Sequence, residues 1–289
     1  MNNNTLQHKV NVTIIRADHM GMCFGVRDAI ALAKRVVKQR PLTVLGELVH
    51  NASVLGDLKQ RGVRFEDNPQ EVETNTVMIT AHGASERTRD EVRGETLQLE
   101  DATCPLVHFA HNKVRQLVCS GYHPVIIGRH GHVEVRGLTE DLEEYDVVLT
   151  TEDIDRLAFH CRLGVVAQTT QPINRVLKLV EYLKQKFPDS GVKFVDTVCQ
   201  PTKQRQDAAE ELALNSDVVL VIGGKNSNNT GELARTCRKF CCRVHHVQGP
   251  EDVSTEWIKD GDILGITAGT STPDELINSV ESKVRSFCH

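Results

Sequence analysis

Short runs of β-branched and other apolar residues recur along the chain, and each run ends abruptly in small polar residues or histidine. Runs of this length between turn residues are typical of strands that are buried on both faces. The pattern predicts strands at residues 12–15, 42–45, 77–79, 125–127, 164–166, 218–222 and 263–266.

Between these runs, apolar residues recur at the spacing of one helix face. The pattern predicts helices at residues 26–37, 107–118, 173–187, 208–214 and 276–284. Because predicted strands and helices alternate, the fold class is α/β with parallel sheets. Ligands of such sheets bind beyond the carboxyl ends of the strands, where this chain places histidine, hydroxyl and amide side chains. We therefore expect a shared polar site there.

Composition narrows the range of function classes. The chain has 289 residues, a formal net charge of -5 and 4% aromatic residues. These values do not favour a nucleic-acid partner, which calls for a basic surface or aromatic rings that stack on bases. No apolar run reaches the roughly 18 residues that a membrane span needs, and the polar N-terminus does not resemble a signal peptide. We expect a cytoplasmic protein without a nucleic-acid or membrane partner, and a disordered tail at residues 1–10.

Three of the nine cysteines share one local setting, between the end of a strand pattern and the start of a helix. A helix N-terminus stabilises a thiolate, so Cys23, Cys104 and Cys199 are candidate nucleophiles or metal ligands. Cys104 lies 81 residues after Cys23, and Cys199 lies 95 residues after Cys104. This near-equal spacing suggests three similar α/β units, at residues 11–103, 104–195 and 196–289, whose cysteines could meet at an iron–sulfur cluster. Three unrelated capped helices, one with a catalytic cysteine, would explain the spacing equally well. Cys119 and Cys161 are predicted to be small buried residues.

Nine motifs in one order resemble those of the 4-hydroxy-3-methylbut-2-enyl diphosphate reductases, the LytB family. The resemblance covers nearly the whole chain from about Ile14. The motifs lie at residues 21–26, 47–51, 80–83, 101–107, 131–135, 168–170, 199–206, 224–229 and 267–274. Each motif is weak alone, but together they are highly specific.

The resemblance implies three α/β units in a pseudo-threefold trefoil around one 4Fe-4S cluster. It implies three ligands, Cys23, Cys104 and Cys199, with the fourth iron open to substrate. It assigns the diphosphate contacts to His50, His82, His132, Ser227, Asn228, Asn229 and Ser271. Glu134 is implied as the proton donor, and Thr169 as a catalytic residue near the substrate hydroxyl. The implied partners are an allylic diphosphate and a ferredoxin or flavodoxin type electron donor.

Two other functions remain open from the sequence. A cluster-bearing sensor or binding protein could keep the fold without turnover, and a cluster-free thiol or phosphate-transfer enzyme could use the same fold. The retained Glu134 and Thr169 favour the reductase, because a sensor need not keep them. Departures from the family pattern are Phe24, Arg27, Arg129, Val133 and Arg136. These concern the neighbourhood of Glu134 and the electron-donor surface.

Overall fold

The computed structural model describes residues 10–94 and 98–288. The strands are β1 (Thr13–Arg16), β2 (Leu42–Leu45), β3 (Val63–Glu66), β4 (Thr76–Ile79), β5 (Gln98–Asp101), β6 (His123–Ile127), β7 (Asp146–Val148), β8 (Arg162–Ala167), β9 (Gly191–Phe194), β10 (Val218–Ile222), β11 (Val244–Val247) and β12 (Ile263–Ala268). The helices are α1 (Phe24–Val37), α2 (Ala52–Gln60), α3 (Glu86–Gly94), α4 (Pro105–Cys119), α5 (Val133–Thr139), α6 (Thr151–Asp155), α7 (Ile173–Lys186), α8 (Gln200–Leu214), α9 (Asn228–Cys237) and α10 (Asp274–Arg285). Short 3-10 helices lie at Pro69–Glu71, Pro250–Asp252 and Thr255–Trp257.

The described strands form three parallel sheets of four strands with one repeated topology. Their orders are β3-β2-β4-β5, β7-β6-β8-β9 and β11-β10-β12-β1. In each sheet the first strand of the repeat lies between the second and the third strands, so the second strand forms one edge. The fourth strand pairs with the third and forms the other edge. This confirms the prediction of an α/β fold with three similar parallel sheets.

The third sheet takes its last strand from the beginning of the chain. β1 pairs in parallel with β12, from Thr13 opposite Ile263 to Arg16 opposite Ile266. The predicted unit of residues 11–103 differs here, because β1 belongs to the sheet of the last unit. The reason is topological. The strands β2 to β5 that follow β1 in the chain form a sheet of their own, and β1 instead serves as the fourth strand of the sheet that contains β10, β11 and β12.

Contacts divide the described chain into two compact units. One contains residues up to 23, residues 50–52 and residues from 204 onward, and it holds the sheet that includes β1. The other contains residues 24–49 and 53–203, and it holds the remaining two sheets. In the first unit, α10 covers one face of its sheet, and α8 and α9 cover the other. In the second, α7 covers one face of the β7-β6-β8-β9 sheet, and α4 and α5 cover the other.

The predicted strands match the central positions of the sheets. β2, β4, β6, β8, β10 and β12 are almost entirely buried, and each lies between two neighbours. Of the six edge strands only β1 was predicted; β3, β5, β7, β9 and β11 were not. These five have partly exposed, mixed sequences, because an edge strand packs fewer apolar neighbours and so lacks a continuous apolar run.

The predicted tail at residues 1–10 lies outside the described residues except for Val10. That residue is not in a disordered tail: it bridges Cys288 in parallel, and its N–H donates to Phe287 O at 3.2 Å. Cys119 and Cys161 are exposed rather than buried. Among residues 10–94 and 98–288, no helix combines the length and apolar character needed to cross a membrane.

A core substitution in β10 tests this packing. Leu220 is 0% exposed in its strand, whereas Leu214 at the end of α8 is 62% exposed. We expect Leu220→Ala to lower the free energy of unfolding by about 2–5 kcal/mol, because it leaves a cavity. Leu214→Ala should cost under about 0.5 kcal/mol. Urea unfolding of both variants measures the difference, and equal losses would contradict the assigned core.

Candidate active site

The three candidate cluster cysteines follow the fourth strand of their respective sheets. In every case the cysteine N–H donates to the carbonyl of the residue two positions beyond the end of the third strand. The bonds are Cys23 to Thr270 at 3.3 Å, Cys104 to Ala81 at 3.1 Å and Cys199 to Thr169 at 3.0 Å. One backbone interaction therefore places all three cysteines at the carboxyl edge of their sheets.

Each of these cysteines directly precedes a helix and is partly exposed. Cys104 is the N-cap residue of α4, and Pro105 occupies the first helical position. The Cys199 Sγ lies 3.1 Å from the Thr202 hydroxyl. Soft thiolate ligands at helix N-termini fit the iron ions of an iron–sulfur cluster.

Gly25 keeps space free around the Cys104 sulfur. A Cβ atom at Gly25 would lie 2.7 Å from Cys104 Sγ, closer than two such atoms can approach. A larger residue would therefore displace the thiol. The absence of a side chain at Gly25 therefore leaves room for the Cys104 sulfur at its observed position.

In the unit of residues 24–49 and 53–203, four predicted site residues form one connected group. The His82 and His132 rings are 5.7 Å apart and nearly perpendicular. His132 caps α5, where its Nδ1 accepts the Glu134 N–H at 3.2 Å. A Glu134 carboxyl oxygen in turn accepts the Thr169 N–H at 2.6 Å. Because Nδ1 of His132 is an acceptor, a neutral His132 carries its proton on Nε2, where it can be donated.

Glu134 is a buried carboxyl group with unusual proton affinity. Glu134 is only 1% exposed to solvent. Burial raises its pKa from the ordinary 4.5 to about 7, although the hydrogen bonds from Thr169 pull the pKa down. A carboxyl group with a pKa near neutrality can hold a proton and release it in the physiological range.

In the unit that contains β10 and β12, buried polar side chains of two adjacent loops lack protein partners. Ser227 ends the loop after β10, Asn228 and Asn229 begin α9, and the loop after β12 carries Ser271. Ser227 caps α9 and accepts the Thr230 N–H at 3.3 Å. The atoms without a hydrogen-bond partner are Asn228 Nδ2, both amide atoms of Asn229, and Ser271 Oγ. Buried polar groups are nearly always paired, so such a group of atoms indicates a place for a polar ligand.

Two glycines allow these loops to approach their neighbours closely. A Cβ atom at Gly224 would collide with the His50 carbonyl oxygen, so the His50 backbone lies directly against the loop after β10. A Cβ atom at Gly269 would collide with Thr230 Oγ1, which ties the loop after β12 to the start of α9. The His50 backbone therefore packs against the segment that leads from β10 to Ser227 and α9.

The structure places the predicted residues in two sets. The larger unit contains Cys104, Cys199, His82, His132, Glu134 and Thr169. The other unit contains Cys23, His50, Ser227, Asn228, Asn229 and Ser271. Within its own unit, each set is gathered at loops that follow the carboxyl ends of strands. One common pocket for both sets stays a prediction.

Sequence reasoning gave little weight to residues that support this arrangement. His111 of α4 is buried, and burial lowers its pKa to about 4, so its ring is neutral. The His111 ring packs against Gly83, the residue that follows His82 in the chain, and against Gly137 of α5. A histidine on the apolar face of the predicted helix was the available signal. Arg205 of α8 donates from Nε and Nη2 to the Gly21 carbonyl at 3.0 and 2.8 Å, and the sequence carries no signal for that contact.

The departures from the family pattern leave the Glu134 arrangement intact. Arg129 and Arg136 are exposed, and the Arg129 backbone N–H donates to Gln168 Oε1 at 3.1 Å. Val133 begins α5. Phe24 is 45% exposed at the start of α1.

The family model described as LytB protein matches residues 14–285. The chain belongs to the LytB family. A 4-hydroxy-3-methylbut-2-enyl diphosphate reductase of Aquifex aeolicus is 36% identical over 283 residues, which are 96% of this chain and 97% of that protein. The reductase of Caldanaerobacter subterraneus is 35% identical over 281 residues, 95% of this chain and 97% of that protein.

Solved structures of LytB-family reductases also resemble the chain. The E-1-hydroxy-2-methyl-but-2-enyl-4-diphosphate reductase of Plasmodium falciparum matches with a TM-score of 0.88 and 26% identity, covering 96% of this chain and 88% of that one. A structure of (E)-4-hydroxy-3-methyl-but-2-enyl diphosphate reductase, the terminal enzyme of the non-mevalonate pathway, matches with a TM-score of 0.69 and 36% identity, covering 96% and 100%. The resemblance predicted from motifs is confirmed.

The raised pKa of Glu134 predicts a specific dependence of stability on pH. The folded chain binds this proton more tightly than the unfolded chain, so stability falls as pH rises from about 4.5 to about 7. Glu134→Gln removes the titration but keeps an oxygen for the Thr169 N–H. We expect the variant to gain about 2–3 kcal/mol relative to wild type between pH 5 and pH 8.

Anaerobic urea unfolding across this pH range measures the gain. Glu211→Gln, at an exposed position of α8, is the control for simple loss of a carboxylate. A pH-independent difference between Glu134→Gln and wild type would show that Glu134 is not the buried, proton-holding group described above.

Proposed function

We propose that this LytB-family chain converts 4-hydroxy-3-methylbut-2-enyl diphosphate into isopentenyl and dimethylallyl diphosphates. The reaction consumes two electrons and two protons and releases the hydroxyl group as water. It is the last step of the methylerythritol phosphate route to isoprenoids. One observation carries the proposal. The Thr169 N–H donates to the Glu134 carboxyl group, and the Thr169 carbonyl accepts the Cys199 N–H, so one residue contacts both the candidate proton donor and a candidate cluster ligand.

We assign one 4Fe-4S cluster to Cys23, Cys104 and Cys199, with one iron left open for substrate. The support is the common setting of these cysteines, partly exposed and each at the start of a helix. LytB proteins are iron–sulfur enzymes, and cysteine thiolates are the usual ligands of such clusters. When bound, the cluster would pass electrons from the external donor to the substrate one at a time and would supply an open coordination position.

Diphosphate binding is assigned to His50, His82, His132, Ser227, Asn228, Asn229 and Ser271. The unpaired amide and hydroxyl groups support this assignment, because hydrogen bonds to a charged group contribute about 1.5–3 kcal/mol each. His132 Nδ1 accepts the Glu134 N–H, so a neutral His132 ring carries its proton on Nε2.

Glu134 and Thr169 are assigned to the proton step. Hydroxide is a poor leaving group, so the departing oxygen must receive a proton. Glu134 can hold that proton near neutral pH because burial raises its pKa to about 7. The Thr169 N–H stabilises the carboxylate that remains after the transfer. Thr169 is also assigned to the substrate hydroxyl.

A ferredoxin or flavodoxin type electron donor and a cytoplasmic location complete the proposal. Both come from the family resemblance and from the reduced thiols expected in that compartment. The small substrate makes a nucleic-acid or membrane partner unnecessary for the reaction.

Serine substitutions test the ligand assignment. Serine at Cys23, Cys104 or Cys199 replaces a soft thiolate with a hard hydroxyl. We expect each variant to lose most of its iron after anaerobic purification, whereas Cys119→Ser and Cys161→Ser, at exposed positions, keep the wild-type amount. Iron and sulfide analysis measures the outcome, and equal iron in all five variants would overturn the assignment.

Turnover tests the reaction itself. Anaerobic wild-type protein with a chemical reductant and 4-hydroxy-3-methylbut-2-enyl diphosphate should form both products. Glu134→Gln should keep its iron and bind substrate but lose about 10²–10⁴-fold in kcat, because glutamine cannot supply the proton. No product from iron-loaded wild type would favour the sensor function. Near-wild-type kcat in Glu134→Gln would remove this residue from the proton step alone.

A further inference from the structure

A second cluster of metal-ligating side chains lies at the opposite edge of the β7-β6-β8-β9 sheet. His123 is the first residue of β6, Asp146 is the first residue of β7, and His160 lies two residues before β8. Glu134 and Thr169, by contrast, follow the carboxyl ends of β6 and β8. The cluster is therefore separate from the candidate catalytic residues, and none of its members is a proposed iron ligand.

The parallel pairing of three neighbouring strands creates this cluster. β6 pairs with β7 on one side and with β8 on the other, so their amino ends meet at one edge. One ligand atom from each of His123, Asp146 and His160 can be chosen so that all three lie within 4.8 Å of one another. All three residues are half-buried, which limits competition from water while leaving a route for an ion.

We propose that His123, Asp146 and His160 bind a divalent transition-metal cation of the Zn²⁺ type. Two imidazoles and one carboxylate form a ligand set that suits this ion, with one position left for water. Ligand atoms at about 2.0–2.2 Å from zinc lie roughly 3.4 Å apart in a tetrahedral site. His123 Nε2 and Asp146 Oδ2 are already 2.8 Å apart, so this pair needs little movement.

His160 must rotate its side chain to join the pair. Its ring stacks on the His123 ring with centroids 3.7 Å apart and planes 10° from parallel. Coordination requires the metal near the plane of each ring, which two stacked rings cannot offer to one ion. The His160 backbone is held, because its carbonyl accepts the Ser190 hydroxyl at 2.6 Å. The proposal therefore requires a turn about the His160 side-chain bonds that brings one ring nitrogen to the ion.

An adjoining cavity of about 500 Å³ supplies access and favourable charge. His123 and His160 line it together with Asp141, Glu143 and Glu144. The carboxylates attract a cation to the cavity. Tyr122 also lines the cavity, and Arg162 and Lys193 lie over its ring, 4.1 and 5.6 Å from its centroid.

Zinc uptake by the anaerobically purified, iron-loaded protein tests the proposal. Wild type, His160→Asn and Asp146→Asn are dialysed against micromolar ZnCl₂, and zinc and iron per chain are measured by mass spectrometry. His245→Asn is the matched control, because His245 also stacks on an aromatic ring, that of Trp257, but lies outside the cluster. We expect wild type and His245→Asn to take up one zinc ion more than the other two variants, at equal iron.

Titration of the same proteins gives the second measurement. Zinc should raise the unfolding midpoint of wild type, and the zinc affinity should fall at least tenfold in His160→Asn and Asp146→Asn. Asp146→Asn keeps the size of the side chain and a hydrogen bond to His123, so it guards against a folding defect. Absence of zinc uptake by wild type, or equal zinc affinity in all four proteins, would overturn the proposal.

Discussion

The backbone hydrogen bond made by each candidate cluster cysteine is the constraint on which the rest of the site depends. Each bond runs from the cysteine N–H to the loop after the third strand of its own sheet. Those same loops carry His82, Thr169 and Ser271, so one interaction places a thiol close to a candidate substrate-binding residue. The repeated topology supplies this bond three times, with N···O distances of 3.0–3.3 Å.

The central strands could be predicted because burial on both faces leaves a continuous apolar run. Edge strands such as β7 and β9 could not, since their partly exposed residues give no such run. The helices α1, α4, α7, α8 and α10 could be predicted from apolar residues at the spacing of one helix face, whereas α5 and α9, which also cover sheet faces, were not predicted. The cysteines and the Glu134 motif were identifiable by their positions after strands and by family resemblance. The place of β1 was not, because strand pairing between residues distant in the chain leaves no mark on local sequence. Arg205 lies in one of the family motifs, but its contact with Gly21 could not be predicted for the same reason, because it joins distant segments.

Two features of the candidate site lower the free energy of unfolding. Burial of Glu134 favours its protonated form. Above neutral pH the folded chain is therefore less stable than a chain with glutamine at this position. Asn229 and Ser271 are buried with polar atoms that no protein group satisfies. A polar ligand that pairs with these atoms restores the lost hydrogen bonds. Binding of such a ligand and conformational stability are therefore thermodynamically linked.

The closure of one sheet by β1 and β12 has a consequence for biosynthesis. A ribosome makes residues 13–16 first, yet their partner strand at residues 263–266 is made almost last. Until β12 has emerged, β1 has no neighbour, and Cys23 cannot donate its N–H to Thr270. The first of the candidate cysteines to be synthesised, Cys23, thus depends on a strand that is among the last to be made. If the proposed cluster binds all three thiols, the insertion of iron and sulfide must follow synthesis of nearly the entire chain.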